Sequence, residues 1–354
     1  MRQNTIFIQM SGFYAVFSYL CTTEKSIMST LTDIQSHISS DLSQLNGLIA
    51  RTLESPNPLM NRVIDNYLKT KGKQIRPILV ILSARLLGNV TPNVIFAAAS
   101  VELLHNASLI HDDVVDETKM RRNAPTINGL WDNHIAVLVG DFLVSTSLQC
   151  ALKTSDLRVI DSVAKLGRML SIGEIDQIYN ARYHHLDEDA YFRTIERKTA
   201  SLFISCAEMG AYTCGTPADE ARIATLRQFT RFLGLCFQIK DDIFDYFGNE
   251  DIGKPTGNDL REGKITLPLL YALLNGPEKE REAMTELSRK EVLEPCEIER
   301  LIDFAKRCGG IEYAYGRMED MRKEAVDSLV AAFPDNEVTG MLVDLFDYTI
   351  ARRF

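Results

Sequence analysis

The amino-acid sequence predicts an all-α protein. From Leu31 onward the apolar residues recur at intervals of three and four, which is the period of an amphipathic helix. Runs of alternating β-branched residues between turn signals are almost absent, so strands are not expected. The chain has 354 residues, of which 45% are hydrophobic and 25% charged, and this is enough material for a large buried core. We therefore expect one large helical bundle.

Short segments rich in Gly, Pro, Asn and Ser are predicted to separate about ten helices along the chain. These segments are residues 55–58, 88–92, 123–125, 154–156, 215–217, 248–257, 276–277, 309–310 and 334–336. Between them, four stretches are apolar on nearly every face and should be buried in the bundle, namely 78–87, 94–110, 135–152 and 226–247. The more charged stretches 278–299 and 313–328 are expected to form an outer layer.

The N-terminal residues 1–28 are predicted to be an extension to a helical domain that spans residues 29–354. Residues 6–20 lean apolar after Arg2, which leaves a signal peptide or membrane anchor as an alternative. Gln9, Ser11 and Gly12 interrupt that stretch, so we favour a dispensable extension upstream of a start at Met28.

Charge and cysteine content narrow the function classes. The net charge of −9 and the sequence pI near 5.3 lack the basic footprint of a nucleic-acid-binding protein, so no nucleic-acid partner is expected. The seven cysteines are scattered and never form a C-x-x-C pair, which argues against a disulfide framework and a zinc site. The prediction is a cytoplasmic protein in a reducing compartment.

Two acidic clusters of identical form, Asp-Asp-x-x-Asp, stand far apart in the chain. Each ends a strongly apolar stretch, and the aspartates are Asp112, Asp113 and Asp116 in the first cluster and Asp241, Asp242 and Asp245 in the second. On a helix, residues four apart lie within about 40° of each other, so the outer carboxylates of each cluster point the same way.

Carboxylates at the negative end of a helix dipole repel one another, so each cluster should attract cations. Oxygen ligands without His or Cys suit Mg²⁺, which binds through few carboxylates and keeps positions for water and phosphate. A solvated helix end would explain one such cluster, but two identical clusters followed by basic residues make that explanation poor. A calcium loop is disfavoured because the spacing is helical and no glycine-centred loop follows.

Basic residues follow both clusters and also precede the first. Lys119, Arg121 and Arg122 come after the first cluster, and Lys254 and Lys264 come after the second. Acidic groups for metal followed by basic groups for anion are what a metal-bridged diphosphate requires. Upstream, Lys73 and Arg76 stand where a loop gives way to an apolar helix, a natural anion site. His105 lies seven residues before Asp112, about 20° away on the helical wheel; a histidine there would otherwise be a core residue.

With these motifs, the sequence resembles the trans-isoprenyl diphosphate synthases, in particular the medium- and long-chain polyprenyl diphosphate synthases such as octaprenyl diphosphate synthase. The resemblance extends from about Leu59 to the C-terminus. The matching segments are 72–77, 105–126, 136–141, 173–177, 198–199 and 237–268. It implies the all-α isoprenoid synthase fold, with central helices around a deep apolar cavity.

The resemblance implies Mg²⁺-dependent condensation of isopentenyl diphosphate with an allylic diphosphate, with farnesyl diphosphate favoured as primer. Three Mg²⁺ ions are expected with substrate bound, carried by Asp112, Asp116 and Asp241, with Asp113, Asp242 and Asp245 assisting directly or through water. Arg121, Lys198, Lys254 and Lys264 would hold the allylic diphosphate. Lys73, Arg76, His105 and Arg122 would hold isopentenyl diphosphate. Thr199 and Gln238 would lie beside the developing carbocation, where neutral dipoles stabilise it.

Product length is predicted from the helix that precedes the first cluster. Ala107 lies five residues, or about 7.5 Å, before Asp112, and short-chain members of the family place an aromatic residue near this point. With Ala107, the neighbouring Ser108 and the more distant Leu104, the path for a growing chain stays open. We expect a long all-trans product for quinone or carrier-lipid side chains, unless a bulky residue such as Phe142 or Met169 closes the path.

Several alternatives remain open. A short-chain farnesyl or geranylgeranyl diphosphate synthase would share every motif except the chain-length residues. A class I terpene cyclase would need no second-substrate site at Lys73, Arg76 and His105. A non-catalytic subunit of a heteromeric synthase would be expected to lose metal ligands, and a simple diphosphate- or lipid-carrying protein would not need two cationic sites. The resemblance further suggests a homodimer, and the greasy product suggests peripheral membrane contact.

Overall fold

The computed structural model describes residues 31–68, 72–121, 124–217, 219–247 and 256–352. Residues 31–37 are helical and precede the first named helix. The helices are α1 (Ser39–Thr52), α2 (Pro58–Leu68), α3 (Ile75–Leu87), α4 (Pro92–Val115), α5 (Ile127–Leu130), α6 (Asn133–Lys153), α7 (Leu157–Tyr183), α8 (Glu188–Ile195), α9 (Ser201–Thr213), α10 (Glu220–Phe244), α11 (Asn258–Arg261), α12 (Leu267–Asn275), α13 (Glu278–Ser288), α14 (Pro295–Arg307), α15 (Gly310–Ala332) and α16 (Glu337–Ala351). One π-helical turn, Glu196–Ala200, joins α8 to α9.

The all-α prediction is confirmed. In the described ranges the only sheet is a hairpin of two short strands, β1 (Met120–Arg121) and β2 (Ala124–Pro125), which pair antiparallel directly after the first acidic cluster. Residues 1–30, which include the predicted extension, lie outside the described residues, and so do Arg122 and Lys254. The division at residue 28 therefore stays a prediction.

Helix ends follow local sequence signals. Pro92 opens α4 and Pro295 opens α14, positions where the missing N–H of proline costs nothing. The Asp132 carboxylate caps α6 by accepting a hydrogen bond from the Ile135 N–H at 2.8 Å, and Asp187 caps α8 in the same way. The break between α7 and α8 lacks Gly and Pro; His184 ends α7 in the left-handed region at φ 50°.

The most extensive helix contact in the bundle is the antiparallel pair α4 and α6. Their approach is tight because small residues meet there: the Ser100 hydroxyl donates to the Ser147 carbonyl at 2.9 Å, and the Ser147 hydroxyl donates to the Ser100 carbonyl at 2.7 Å. By length and composition alone, these two helices could cross a membrane. Within the bundle they bury their small and branched residues against each other and against neighbouring helices.

The predicted burial holds for α3, α4 and α10, and it holds in part for α6. One stripe of α6 faces outward, with Leu138 59% and Leu152 58% exposed. The charged stretch 313–328 was expected in an outer layer, but α15 also reaches the main core, where Ala314, Met318 and Leu329 are fully buried. A smaller apolar cluster forms where α12, α13 and α14 pack around Phe304 and Leu301. The second acidic cluster lies between these two cores.

Candidate active site

The first acidic cluster lies at the C-terminal end of α4, where Asp113 is buried, Asp112 is half-buried and Asp116 is exposed. Asp113 points inward and accepts a hydrogen bond from Arg121 Nε at 2.9 Å, while the β1–β2 hairpin holds Arg121 in place. Burial raises the pKa of Asp112 to about 6, Glu174 and Asp116 add to the rise, and Lys198 and Arg121 oppose it. A charged Asp112 is therefore costly at neutral pH, and a bound cation would relieve that cost.

The second acidic cluster ends α10, and protein groups engage all three of its carboxylates. Asp241 accepts a hydrogen bond from Arg352 Nη2 at 2.7 Å. Asp245 accepts from the backbone N–H groups of Asn258 at 2.9 Å and Asp259 at 3.0 Å, and thereby anchors the first turn of α11. The third carboxylate, that of Asp242, is almost fully buried. The same motif thus has different surroundings at its two positions.

The Asp242 carboxylate accepts hydrogen bonds from two side chains of different helices. Tyr191 donates its phenolic O–H at 2.6 Å and Gln238 donates its amide N–H at 2.8 Å. Burial raises the pKa of Asp242 to about 6, and these two hydrogen bonds oppose the rise. Burial, together with the neighbouring Asp242 charge, raises the pKa of Tyr191 well above its usual range, so the phenol keeps its proton.

The π-helical turn brings Lys198 and Thr199 to the site. Two glycines on neighbouring helices permit its close approach: a Cβ at Gly173 would lie 2.6 Å from the Lys198 nitrogen, and one at Gly234 would lie 2.6 Å from the Ala200 Cα. Gln238 follows Gly234 by one helical turn and accepts a hydrogen bond from Thr199 Oγ1 at 2.7 Å. π-helical turns of this kind occur often at functional sites, where they shift side chains out of helical register.

Lys198 connects the π-helical turn to α7 and to the first cluster. Its Nζ donates to Gln177 Oε1 at 2.6 Å and forms an ion pair with Glu174. Lys198 also acts electrostatically on Asp112, and Lys264 on Asp116, since each carboxylate lies within range of its lysine. Both lysines also line a cavity with Asp242 of the second cluster, so an anion bound there would meet them.

A cavity of about 180 Å³ lies among these groups. Its walls combine polar and apolar side chains from α7, α8, the π-helical turn, α10 and α12. The polar residues in its walls include Tyr191, Lys198, Thr199, Gln238, Asp242 and Lys264. The cavity thus brings residues from distant parts of the sequence to one place beside the two aspartate clusters.

A second basic group lies around Phe237 of α10. The Arg352 guanidinium stacks on the Phe237 ring at 3.8 Å from the ring centre, and that of Arg76 lies 5.7 Å from the same centre. The Lys73 ammonium lies 5.3 Å from the centre of the Tyr348 ring. Cations above aromatic faces are stabilised by the ring quadrupole and remain able to bind anions. The C-terminal end of α16 therefore completes a cationic surface one helical turn before Asp241.

Comparison with known proteins identifies the architecture. Residues 57–304 match the family model described as "Polyprenyl synthetase". The chain belongs to the polyprenyl synthetase family. It is 33% identical over 336 residues to octaprenyl diphosphate synthase of Haemophilus influenzae, a match that covers 94% of this chain and 100% of the relative.

Solved structures of the polyprenyl synthetase family share the fold. A decaprenyl diphosphate synthase from Rhodobacter capsulatus matches with a TM-score of 0.84 and 34% identity, covering 90% of this chain and 98% of its own. A geranylgeranyl pyrophosphate synthase from Bacteroides thetaiotaomicron matches with a TM-score of 0.78 and 40% identity, covering 92% and 100% of the two chains. This chain is thus similar both to long-chain and to shorter-chain enzymes.

The residues predicted to set the product length lie on α4, away from the cavity walls. Ala107 is fully buried and Leu104 nearly so. Ser108 is half-buried and donates its hydroxyl to the His105 carbonyl at 2.8 Å. His105 itself lies half-buried on the same helix, two turns before Asp112. None of the four residues lines the cavity of about 180 Å³.

Three residues of the site were not predicted from the sequence. Arg352 binds Asp241 from 111 residues away, Tyr191 binds Asp242, and Asp259 lines the cavity beside Lys264. Burial raises the pKa of Asp259 well above its usual range, and the carboxylates of Asp242 and Asp245 add to the rise. Two of them had a sequence signal: Asp259 lies in the matching segment 237–268, and Arg352 follows an apolar helix.

Proposed function

We propose that this member of the polyprenyl synthetase family condenses isopentenyl diphosphate with an allylic diphosphate to give a long-chain all-trans polyprenyl diphosphate. One observation carries the proposal. Lys198 and Lys264 act on the first aspartate cluster and line a cavity with Asp242 of the second. A second cationic group, Lys73, Arg76 and Arg352, lies around Phe237 and Tyr348. Two anionic substrates need two such sites, whereas a cyclase or a simple carrier needs one.

The donor chemistry of the clusters suits Mg²⁺. Their ligands are carboxylate oxygens, and within the described ranges no group of three His, Cys, Asp or Glu side chains converges into a preformed metal site. Ions bound mainly through a substrate diphosphate fit such an arrangement, because Mg²⁺ keeps few protein ligands. The Arg352 guanidinium on Asp241 marks one position where positive charge is already favourable. Asp112, Asp116 and Asp241 would hold the ions, three with substrate bound.

When bound, Mg²⁺ would supply positive charge to the leaving diphosphate. Lys198 and Lys264, with Arg121 and Lys254, would donate hydrogen bonds to the same oxygens, so that the allylic C–O bond breaks heterolytically. Thr199 and Gln238 would stabilise the allylic cation through their dipoles. Lys73, Arg76, His105 and Arg122 would hold isopentenyl diphosphate so that its double bond attacks the cation. A proton then leaves for the released pyrophosphate, and the product is one isoprene unit longer.

The long product rests on the absence of a large side chain at position 107. Ala107, fully buried on α4, leaves the path along the helix without an aromatic barrier at that position. The similarity to an octaprenyl and a decaprenyl diphosphate synthase supports the same conclusion. A second candidate is a C20 product, because the geranylgeranyl pyrophosphate synthase from Bacteroides thetaiotaomicron is 40% identical to this chain.

The active form is proposed to be a cytoplasmic homodimer that meets membranes through its product. The outward stripe of α6 supports the dimer, because Leu138, Leu148 and Leu152 recur on one helical face and are 59%, 39% and 58% exposed. A role as non-catalytic subunit of a heteromeric synthase is disfavoured, since all six aspartates remain. Sedimentation with and without product would test the membrane contact.

The decisive experiment incubates the purified protein with farnesyl diphosphate, labelled isopentenyl diphosphate and Mg²⁺, followed by separation of products by chain length. We expect products of six or more isoprene units, and none when EDTA replaces Mg²⁺. Products that stop at four units would select the geranylgeranyl alternative. Absence of elongation by the protein alone would contradict the proposal and favour the heteromeric role.

A further inference from the structure

A chain of three hydrogen bonds crosses the cavity wall from α8 to the π-helical turn. Tyr191 donates to Asp242 Oδ2 at 2.6 Å, Gln238 Nε2 donates to Asp242 Oδ1 at 2.8 Å, and Thr199 Oγ1 donates to Gln238 Oε1 at 2.7 Å. All four residues line the cavity. Three separate segments of the fold, α8, the π-helical turn and α10, therefore converge on one buried carboxylate.

The chemistry of the donors and acceptors fixes the direction of this chain. An ionised carboxylate only accepts hydrogen bonds, so the Gln238 amide must turn its N–H toward Asp242 and its oxygen toward Thr199. The Thr199 hydroxyl then uses its hydrogen on Gln238, and its lone pairs remain for the cavity. Tyr191 meanwhile occupies the second oxygen of Asp242, which keeps the carboxylate from rotating away from Gln238.

We propose that Tyr191 and Asp242 are positioning residues that hold the Gln238 amide and the Thr199 hydroxyl with their oxygens toward the allylic cation. This inference rests on the proposed function. A reversed amide would place N–H groups, the positive ends of its dipole, beside a positive carbon and would raise the barrier to ionisation. Both oxygens of Asp242 accept protein hydrogen bonds and the side chain is buried, so its main role is to position Gln238. Metal binding is then left to Asp112, Asp116 and Asp241.

The first test removes one hydroxyl. Tyr191→Phe should lower kcat for elongation about tenfold to a hundredfold, as loss of a hydrogen bond that orients an active-site group typically does. The KM for both diphosphates and the Mg²⁺ concentration for half-maximal rate should stay within about twofold, because the charged groups that bind them are untouched. An unchanged kcat, or a loss that appears only as a higher Mg²⁺ requirement, would overturn the positioning role.

A matched control is available at the N-terminal end of α8, the helix that carries Tyr191. Tyr313 of α15 donates its hydroxyl to Glu188 of α8 at 2.8 Å, a tyrosine–carboxylate hydrogen bond of similar length outside the cavity. Tyr313→Phe should leave kcat unchanged. If the two variants lose kcat equally, the Tyr191 effect reflects only the packing of α8, and the proposal fails.

The second test exploits the direction of the chain. In Asp242→Asn, Tyr191 favours donation to the oxygen of the introduced amide, so the N–H of that amide points to Gln238 and the Gln238 amide reverses. Removing the phenol frees the introduced amide to turn back. Tyr191→Phe should therefore raise kcat in the Asp242→Asn background by roughly threefold or more, although it lowers kcat in the wild type.

The double-mutant comparison also distinguishes an error in the proposed amide orientation from an error in the proposed enzymatic function. Circular dichroism melting of each variant ensures that kcat is measured on folded protein. A further loss of kcat in the double variant would overturn the proposed amide orientation while leaving the prenyltransferase function intact. A wild-type protein that does not elongate would overturn both.

Discussion

The two aspartate clusters share one motif but have different roles in the fold. Among the hydrogen bonds between described side chains, the first cluster engages only Asp113, through Arg121. In the second cluster Arg352 binds Asp241, Tyr191 and Gln238 bind Asp242, and backbone N–H groups bind Asp245. The motif therefore predicts where negative charge is concentrated. The surrounding helices determine which of the carboxylates are available to bind a metal.

The cause lies in what surrounds each helix end. α4 ends beside a short hairpin, whose Arg121 donates a side-chain hydrogen bond to Asp113. α10 ends among α8, α11 and α16, and each supplies a donor. Burial raises the pKa of both Asp112 and Asp242 to about 6, but hydrogen bonds oppose the rise at Asp242, whereas at Asp112 the charges of Lys198 and Arg121 do. We infer that the first cluster is stabilised mainly by ligands, and the second mainly by the protein.

The largest expected effect comes from the first cluster. Asp112→Asn should lower elongation by about a hundredfold to a thousandfold, since it removes one of the charges that stabilise the leaving diphosphate. In EDTA the same variant should not melt below the wild type, because the cost of burying the Asp112 charge exceeds the attraction of Lys198 and Arg121. Asp245→Asn is the contrast and should melt lower, because its carboxylate anchors α11. Equal melting of the two variants would remove the distinction between the clusters.

The next effect concerns the helix that carries the first cluster. If the allylic diphosphate binds there, the growing chain passes Ala107, and Ala107→Tyr should shorten the main product by at least one isoprene unit while elongation continues. One isoprene unit lengthens the product by about four main-chain carbons, a length comparable to that of a tyrosine side chain. Ala107→Ser serves as the small control. An unchanged product length in the tyrosine variant would exclude Ala107 as a chain-length determinant.

A smaller effect is expected in the second cluster. Arg352→Gln should lower the Mg²⁺ concentration for half-maximal activity by about threefold, because the guanidinium no longer competes for Asp241; this is modest because Asp241 is partly exposed. Arg322→Gln, which breaks the ion pair with Asp347 elsewhere, should leave it unchanged. A higher Mg²⁺ requirement for Arg352→Gln would mean that the arginine assists the metal.

The smallest effect is expected for Asp156, a carboxylate outside both clusters that serves as a reference for stability. Asp156 caps α7, and its hydrogen bonds with Arg158 lower its pKa. The stability it contributes is therefore present above its unfolded pKa and is lost as pH falls through its lower folded pKa. Asp156→Ala should cost about 1 kcal/mol in urea unfolding at pH 7 and less under acidic conditions. Asp156→Asn keeps the cap and should lower the free energy of unfolding less than Asp156→Ala does. If the loss caused by Asp156→Ala were the same at every pH, the charge of Asp156 would not contribute to stability.

Local sequence was sufficient to predict the helices and both clusters. Gly88 and Pro92 mark the boundary between α3 and α4, and the spacing of Asp112 and Asp116 depends only on helical geometry. The break at His184 was not predicted, because its backbone adopts the left-handed region without Gly or Asn. The π-helical turn was also not predicted, since its hydrogen bonds depend on the packing that Gly173 and Gly234 allow.

Contacts between distant residues explain the rest of what was missed. Arg352 meets Asp241 across 111 residues, and Tyr191 meets Asp242 across 51. Nothing in the local pattern of either segment indicates its partner, because the partnership arises from how α8, α10 and α16 pack. The roles of Asp113, Asp242 and Asp245 were predicted as a group for the same reason, and only the fold separates them.

Binding of Mg²⁺ with an unreactive allylic thiodiphosphate, measured by titration calorimetry, tests the division between the clusters most directly. In Asp112→Asn the Mg²⁺-dependent binding should be lost, whereas Asp242→Asn should bind within about threefold of the wild type, a difference below about 1 kcal/mol. Equal loss of binding in both variants would contradict the account, because Asp242 would then serve the metal as Asp112 does.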